Sequence, residues 1–232
     1  MADEIVKNDK LKNEFVASIS HELRTPLTSI KGWASTIRTG SLEDKQEIID
    51  GLEIIEKESD RLSKLVEELL DFSKFVSGKI VMQKDFVDMK NTISHIQKQM
   101  MPRAQRQKIT FDVHLEELPL MLIDENRIKQ VLINILDNAF NFTPEGGCIS
   151  LNLRKSNYAL FITVKDSGVG ISQEDLPKVT EKFFKGKNSK AGNGIGLSIC
   201  SEIVSMHNGQ IAINSEEGKG TIVQIILPIE EK

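Results

Sequence analysis

The sequence predicts an α+β protein in two parts: an antiparallel helical hairpin, then a mixed sheet covered by helices on one face. Three observations carry this reading. Residues 43–76 repeat apolar side chains at spacings that alternate four and three, the mark of a helix with a continuous seam. After residue 79, short strand-like runs alternate with helical patterns. Of 15 glycines, only Gly32, Gly40 and Gly51 precede residue 75, so tight turns concentrate in the second part. The boundary is expected at Ser77-Gly78-Lys79, a hinge between a helical segment, 1–78, and an α+β segment, 79–232.

The first helix is expected over residues 8–38, with Leu11, Phe15, Ile19, Leu23, Leu27, Ile30, Ala34 and Ile37 on or near one face. Thr39-Gly40 ends it, and Ser41 with Asp44 three residues on resembles a capping box that opens the next helix. That second helix carries Ile48, Leu52, Ile55, Leu62, Val66, Leu69 and Val76, with Ser59 and Ser73 in the two gaps. Ile49, Leu65 and Phe72 widen the stripe beyond a two-helix seam. One hairpin cannot bury such stripes, whereas two can, so a homodimer through a four-helix bundle is expected.

His21-Glu22-Leu23-Arg24-Thr25-Pro26 sets a proline inside the first helix. It should kink the helix and free a carbonyl. A histidine followed by an acid is a candidate proton-transfer or nucleophile pair. The zinc motif H-E-x-x-H needs a second histidine where Thr25 stands, so that chemistry fails.

Beyond the hinge, strand-like runs fall at Ile80–Met82, Ile109–Val113, Ile149–Leu153, Ala159–Val164, Gln210–Asn214 and Thr221–Leu227. Helical patterns fall at Met89–Gln105, Glu125–Phe140 and Ile195–His207. The last two strands are close enough for a hairpin.

Charge and composition exclude several classes. The 30 basic and 34 acidic residues leave a formal net charge of −4, unlike a general nucleic-acid binder. No apolar run approaches the roughly 18 residues of a spanning helix, and Met1-Ala2-Asp3-Glu4 lacks a signal peptide's apolar stretch. The chain is therefore expected to have no membrane segment and no nucleic-acid partner. Cys148 and Cys200 are expected to be reduced thiols rather than a metal site or a disulfide framework.

Three glycine clusters suggest a phosphate-bearing ligand. Asp166-Ser167-Gly168-Val169-Gly170-Ile171 follows a strand, Gly192-Asn193-Gly194-Ile195-Gly196-Leu197 opens a helix, and Gly218-Lys219-Gly220-Thr221 opens the last strand. Glycines let backbone N–H groups approach phosphates, and a helix N-terminus favours anions. A dinucleotide fingerprint fails because Leu197 stands where its third glycine belongs; there is no P-loop, and no H-R-D or D-F-G run. Asn134 and Asn138 lie four apart on one helical face. Amides there are costly to bury unsatisfied; they either bind Mg²⁺ through their carbonyl oxygens or bond to neighbouring loops.

Together these motifs resemble the transmitter core of sensor histidine kinases. Phe15 to Thr28 looks like that family's H box, Asn134-Ile135-Leu136-Asp137-Asn138-Ala139 like its N box, and Asp166 to Ile171 like its first glycine box. Phe183-Phe184-Lys185 looks like its F box and Gly192 to Leu197 like its second glycine box. The motifs stand in the family's order over nearly the whole chain.

The resemblance implies a dimerising phosphoacceptor hairpin followed by a GHKL (Bergerat) α/β sandwich that binds ATP with Mg²⁺. It implies that His21 takes the γ-phosphoryl group and passes it to an aspartate of a response regulator. Glu22 would polarise the imidazole, and Thr25 would serve a phosphatase function toward the same partner. Asn134 would ligate the metal and Asn138 would lie near the phosphates. Asp166 would accept from the adenine amine, with Gly168, Gly170, Ile171 and Thr221 around it. Phe183, Lys185, Gly192, Gly194, Ile195, Gly196 and Leu197 would belong to the lid and phosphate side.

Three departures stand out. Asn141-Phe142 occupy the place where the family has Lys-Tyr, so a cation is missing beside the phosphates, although both positions remain in the expected nucleotide set. Thr180 stands where the family favours phenylalanine. Lys178, Lys182, Lys185, Lys187 and Lys190 outnumber Glu174, Asp175 and Glu181, and this cluster is expected to compensate. The alternative function is a GHKL ATPase clamp, or a nucleotide-binding scaffold without phosphotransfer. The chain is expected to be a cytoplasmic fragment of a longer sensor, with membrane anchoring of the parent left open.

Overall fold

The structure, a computed structural model, describes residues 2–40, 45–76, 81–156, 158–182, 184, 186 and 194–229. For helical residues 2–18, 21, 64, 68, 71, 72 and 74–76 it describes the backbone alone. The Ser41–Asp44 capping pair, the Ser77–Lys79 hinge, and Phe183, Lys185, Lys187, Lys190 and Gly192 lie outside the described residues. The chain divides into two compact units, Met1–Lys79 and Ile80–Lys232.

The first unit is two long helices, α1 (Ala2–Thr39) and α2 (Lys45–Val76). α1 continues unbroken through Pro26, where the sequence suggested a kink. The Thr28, Thr36 and Thr39 hydroxyls each donate to a carbonyl one turn back, at 2.8–3.1 Å. The helices approach closely at Gly51: a Cβ there would stand 2.7 Å from Trp33 Cε3. Leu65 is buried, but Leu27, Leu52, Val66 and Leu70 are between 43% and 57% exposed. One hairpin therefore leaves part of its apolar surface in water, as the width of the stripes required.

Among the described residues, the second unit is a five-stranded sheet with three α-helices and a separate two-stranded ribbon. In chain order it runs β1 (Asp85–Val87), α3 (Met89–Gln107), β2 (Thr110–Leu115), β3 (Met121–Ile123), α4 (Glu125–Phe142), β4 (Cys148–Lys155) and β5 (Ala159–Asp166). A single 3₁₀ turn at Leu176–Lys178 precedes α5 (Gly196–Met206), β6 (Gln210–Glu216) and β7 (Gly220–Pro228). The large sheet has the order β2-β4-β5-β7-β6, with β2 and β4 parallel and every other pair antiparallel.

Alternation fixes which face is covered. Ile149, Leu151 and Leu153 on β4, Leu160, Ile162 and Val164 on β5, and Val223, Ile225 and Leu227 on β7 are buried; the residues between them are not. Against this face lie apolar stripes from α3 (Ile93, Ile96, Met100), α4 (Ile128, Val131, Leu132, Ile135, Leu136) and α5 (Ile199, Ile203, Val204). The expected strand at Ile80–Met82 is corrected: residues 81 and 82 form no strand, and Val81 is 83% exposed. Strand structure begins instead at Asp85, where β1 pairs with β3, the run Met121–Ile123 that the sequence reading did not mark.

The start of α4 is a junction. Asp124 caps the helix, accepting from Arg127 N at 3.1 Å, and also accepts from Gln83 N at 2.9 Å. Its own N–H donates to His207 Nε2 at 3.0 Å, while His207 Nδ1 lies 2.8 Å from Ile203 O. Because Nε2 accepts, Nδ1 carries the proton and donates, so the ring is neutral. Burial is the first cause that holds the His207 pKa below its ordinary 6.5. Protons then bind the unfolded chain before the folded one, so stability rises with pH and is lost as pH falls below 6.5. His207→Gln, which keeps an acceptor for Asp124 N, should flatten this part of the stability–pH curve. Thermal unfolding between pH 5 and 8, the range about a histidine value, checks it; an unchanged slope would locate the pH dependence elsewhere.

Candidate nucleotide site

The centre of the site is the end of β5. Asp166 is 8% exposed, and its Oδ1 accepts from Gly168 N at 2.8 Å and Thr221 N at 3.2 Å. Burial, the largest cause, pushes the carboxyl above its usual range, and the two backbone donors oppose that shift. The surrounding backbone comes too close for side chains. A Cβ at Gly168 would stand 2.5 Å from Phe142 O. One at Gly170, which has φ +69°, would stand 2.1 Å from Glu216 O. One at Gly220, with φ +104°, would stand 2.1 Å from Asp166 O. Glycine is required at the last two by conformation as well as by space.

Ser215 stitches the turn to the far hairpin. Its hydroxyl receives a bond from Ile171 N at 2.8 Å, donates to Gly220 O at 2.9 Å, and lies 2.9 Å from Thr221 Oγ1. Phe142 enters through its carbonyl, which accepts from Val169 N at 3.1 Å. Asp166, Gly168, Gly170, Ile171, Thr221 and the Phe142 backbone thus form one cluster.

A second group lies on α4 and α5. A Cβ at Gly196 would come within 4.0 Å of Asn134 Nδ2, so the second glycine box and the first N-box amide are neighbours. Cys200, one turn further along α5, donates from Sγ to Val131 O at 3.7 Å. Burial pushes the Cys200 thiol up to about 12, with a hydrogen bond from Asn134 opposing it. That thiol is inert. Ile195 is buried at the head of α5, its carbonyl accepting from Ile199 N and from Ser198 Oγ. Gly194 holds φ +69°, and Leu197 and Asn138 are half-buried.

Asn141, seven residues after Asn134, continues the amide row and is exposed. Its Oδ1 accepts from Arg103 Nη2 at 2.8 Å, while Arg103 Nη1 binds Asp137 Oδ1 at 2.7 Å. The guanidinium carbon sits 5.1 Å from the Phe140 ring centre. Neither Arg103 nor Ser215 was singled out by sequence reasoning. Arg103 bonds to residues 34 and 38 positions away and Ser215 to one 44 positions away, and no local pattern marks them. Of the expected lysine cluster, Lys178 and Lys182 are described, and both are exposed.

In the hairpin, Glu22 forms an ion pair with Arg61 of α2 at 3.4 Å, and Thr25 is exposed on α1. The His21 backbone lies within α1, and its side chain is outside the described residues. Among the described residues no cluster of three His, Cys, Asp or Glu side chains is arranged to hold a metal. A cation here would depend on amide carbonyls and on ligand oxygens.

A histidine-bearing helical hairpin followed by this sheet and its glycine turns defines a two-part transmitter core. The family described as the His Kinase A (phospho-acceptor) domain matches residues 11–78. The family described as the histidine kinase-, DNA gyrase B- and HSP90-like ATPase matches residues 123–231. The two parts of the chain thus match, in order, the two domains of a histidine kinase transmitter core. It is 35% identical to the sensor histidine kinase WalK of Bacillus subtilis over 97% of this chain and 38% of that protein. It is 34% identical to YclK of the same organism over 99% of this chain and 49% of that protein. It therefore spans less than half the length of either relative. The solved structure of the histidine kinase ThkA in complex with the response regulator TrrA matches 99% of this chain and 66% of that one, with a TM-score of 0.77 and 27% identity.

Two substitutions test the Asp166 cluster. Asp166→Asn should keep the fold, because the amide oxygen still accepts both backbone bonds, and should weaken ATP binding about tenfold or more, the scale of one charge-assisted hydrogen bond. The raised carboxyl pKa means that wild-type stability falls as pH rises from 3.8 through the folded value. The variant's stability relative to wild type should then grow over that window and level off above it, as thermal unfolding would show. Gly220→Ala should cost at least about 2 kcal/mol in denaturant unfolding, since strain at positive φ adds to a backbone clash.

Proposed function

We propose that this chain is the ATP-dependent autophosphorylating core of a two-component sensor, transferring the γ-phosphoryl group of ATP to His21 and then to an aspartate of a response regulator. The observation that carries the reading is the Asp166 cluster. A carboxylate held by two backbone donors, among glycine turns packed against neighbouring backbone, suits the exocyclic amine of adenine. The amide face of α4 lies against the start of α5, which suits the triphosphate side.

In this reading Asn134, with phosphate oxygens and waters, holds Mg²⁺, whose charge offsets that of the phosphates. Asn138 and Asn141 serve the same side, and Phe142 joins the Asp166 cluster through its carbonyl. Gly194, Gly196, Ile195 and Leu197 serve the phosphate side, and Gly192, Phe183 and Lys185 are assigned to the lid by their motifs alone. In the hairpin, the neutral imidazole of His21 is the nucleophile; the bond it forms to the γ-phosphorus replaces the bond to ADP. Glu22 stabilises the imidazolium that develops. Thr25 positions water for dephosphorylation of the regulator. The exposed apolar residues of α1 and α2 support a homodimer through a four-helix bundle, and no helix among the described residues is long and apolar enough to cross a membrane. Operation on the cytoplasmic side is part of the same proposal.

A clamp-type ATPase is less well supported, because the H-box histidine and its acid lie on a hairpin that matches a phosphoacceptor family. Incubation with γ-labelled ATP and Mg²⁺ tests the choice. Acid-labile, base-stable label on wild type, lost in His21→Ala, is expected. Steady phosphate release with no labelled protein would establish the clamp instead.

A further inference from the structure

We infer that Arg103 of α3 is a positioning residue for the nucleotide site, setting the Asn141 amide so that its N–H donors face the phosphates. The inference rests on the nucleotide-binding reading above and names a residue outside every motif of the sequence. Asn134, Asn138 and Asn141 follow one another at spacings of four and three, so they share one face of α4. An amide presents either its oxygen or its NH₂ to that face, and the two have opposite consequences for an anion. A guanidinium can only donate. Arg103 Nη2, 2.8 Å from the Asn141 side chain, therefore fixes the near atom as Oδ1. The NH₂ group is then turned away from Arg103.

The guanidinium is itself held on three sides. Asp137 takes Nη1 at 2.7 Å, Asn141 takes Nη2, and the Phe140 ring lies 5.1 Å from the guanidinium carbon. Asp137 and Asn141 are one turn apart, so the fork spans a single turn of the helix that carries the amide row. Asn141 thereby becomes an oriented neutral donor at the position where a lysine would have supplied a mobile charge. The positive charge stands instead on Arg103 of α3, where it sets geometry and is balanced by Asp137.

Calorimetry on the whole 232-residue chain, with ATP, ADP and adenosine as ligands, tests this. Arg103→Met is expected to weaken ATP binding several-fold and to leave adenosine binding unchanged, and Arg103→Lys, which keeps a donor for Oδ1, should restore most of the loss. Asn141→Asp keeps the partner of Arg103, so its melting temperature should hold or rise, yet ATP affinity should drop about tenfold. In an Asn141→Ala background, Arg103→Met should cost nothing further, as expected for residues that act through one another. Equal losses for ATP and adenosine, or an undiminished Arg103→Met effect in the Asn141→Ala background, would overturn the inference. Failure of the wild-type chain to bind ATP would instead sink the underlying nucleotide reading.

Discussion

The burial of one carboxylate organises much of the second unit. Asp166 ends the central strand β5 and is almost out of water, where an ionised group is stable only with donors close by. Among the described residues its hydrogen-bond donors are the backbone N–H groups of Gly168 and Thr221. Backbone donors reach a carboxylate only if the chain passes very near, and this excludes a Cβ at Gly168 and Gly220. It also requires β7 to run beside β5, and Ser215 then ties β6 to the same turn. The net result is a buried carboxylate whose partners are backbone amides.

α4 is the second organising element, and its faces do different work. One face is wholly apolar and packs on the sheet. Its start is a junction where Asp124 receives the chain entering the domain and donates to His207 at the end of α5. The remaining face carries the amides. An amide row on a core helix is affordable only where its atoms find partners, and the structure supplies them unevenly. Asn134 meets Cys200, and Asn141 meets Arg103, each contact using one end of the amide and leaving the other.

Much of this was legible in the residues. The helices of both units were readable from periodicity, and five of the six strand runs fall where the structure has strands, because half-buried strands alternate clearly. Ile80–Met82 misled because three apolar residues say nothing about a pairing partner, and β3 escaped notice because it is only three residues long. The Asp166 turn and the two asparagines could be found because glycine spacing and buried amides are local signals. Arg103, Ser215 and His207 could not. Each is an ordinary residue on its own element, and its role arises only when a distant segment is folded against it.

The two units also differ in how complete they are. The second encloses its own apolar core, with ten apolar residues of the large sheet buried among the described residues beneath three helices, and its polar interior is tied by backbone donors. The hairpin has no comparable core: of its described apolar side chains Leu65 is the large one that is buried, while Leu27, Leu52, Val66 and Leu70 remain in water. At about 25 cal/mol per Å² of apolar surface, covering these four by a second hairpin would be favourable, and the proposed homodimer would link folding of the hairpin to protein concentration. In the proposed function the stability of the second unit would be linked instead to its nucleotide. One half of the chain would then answer to assembly and the other to nucleotide, and the proposed phosphorylation of the histidine would draw on both.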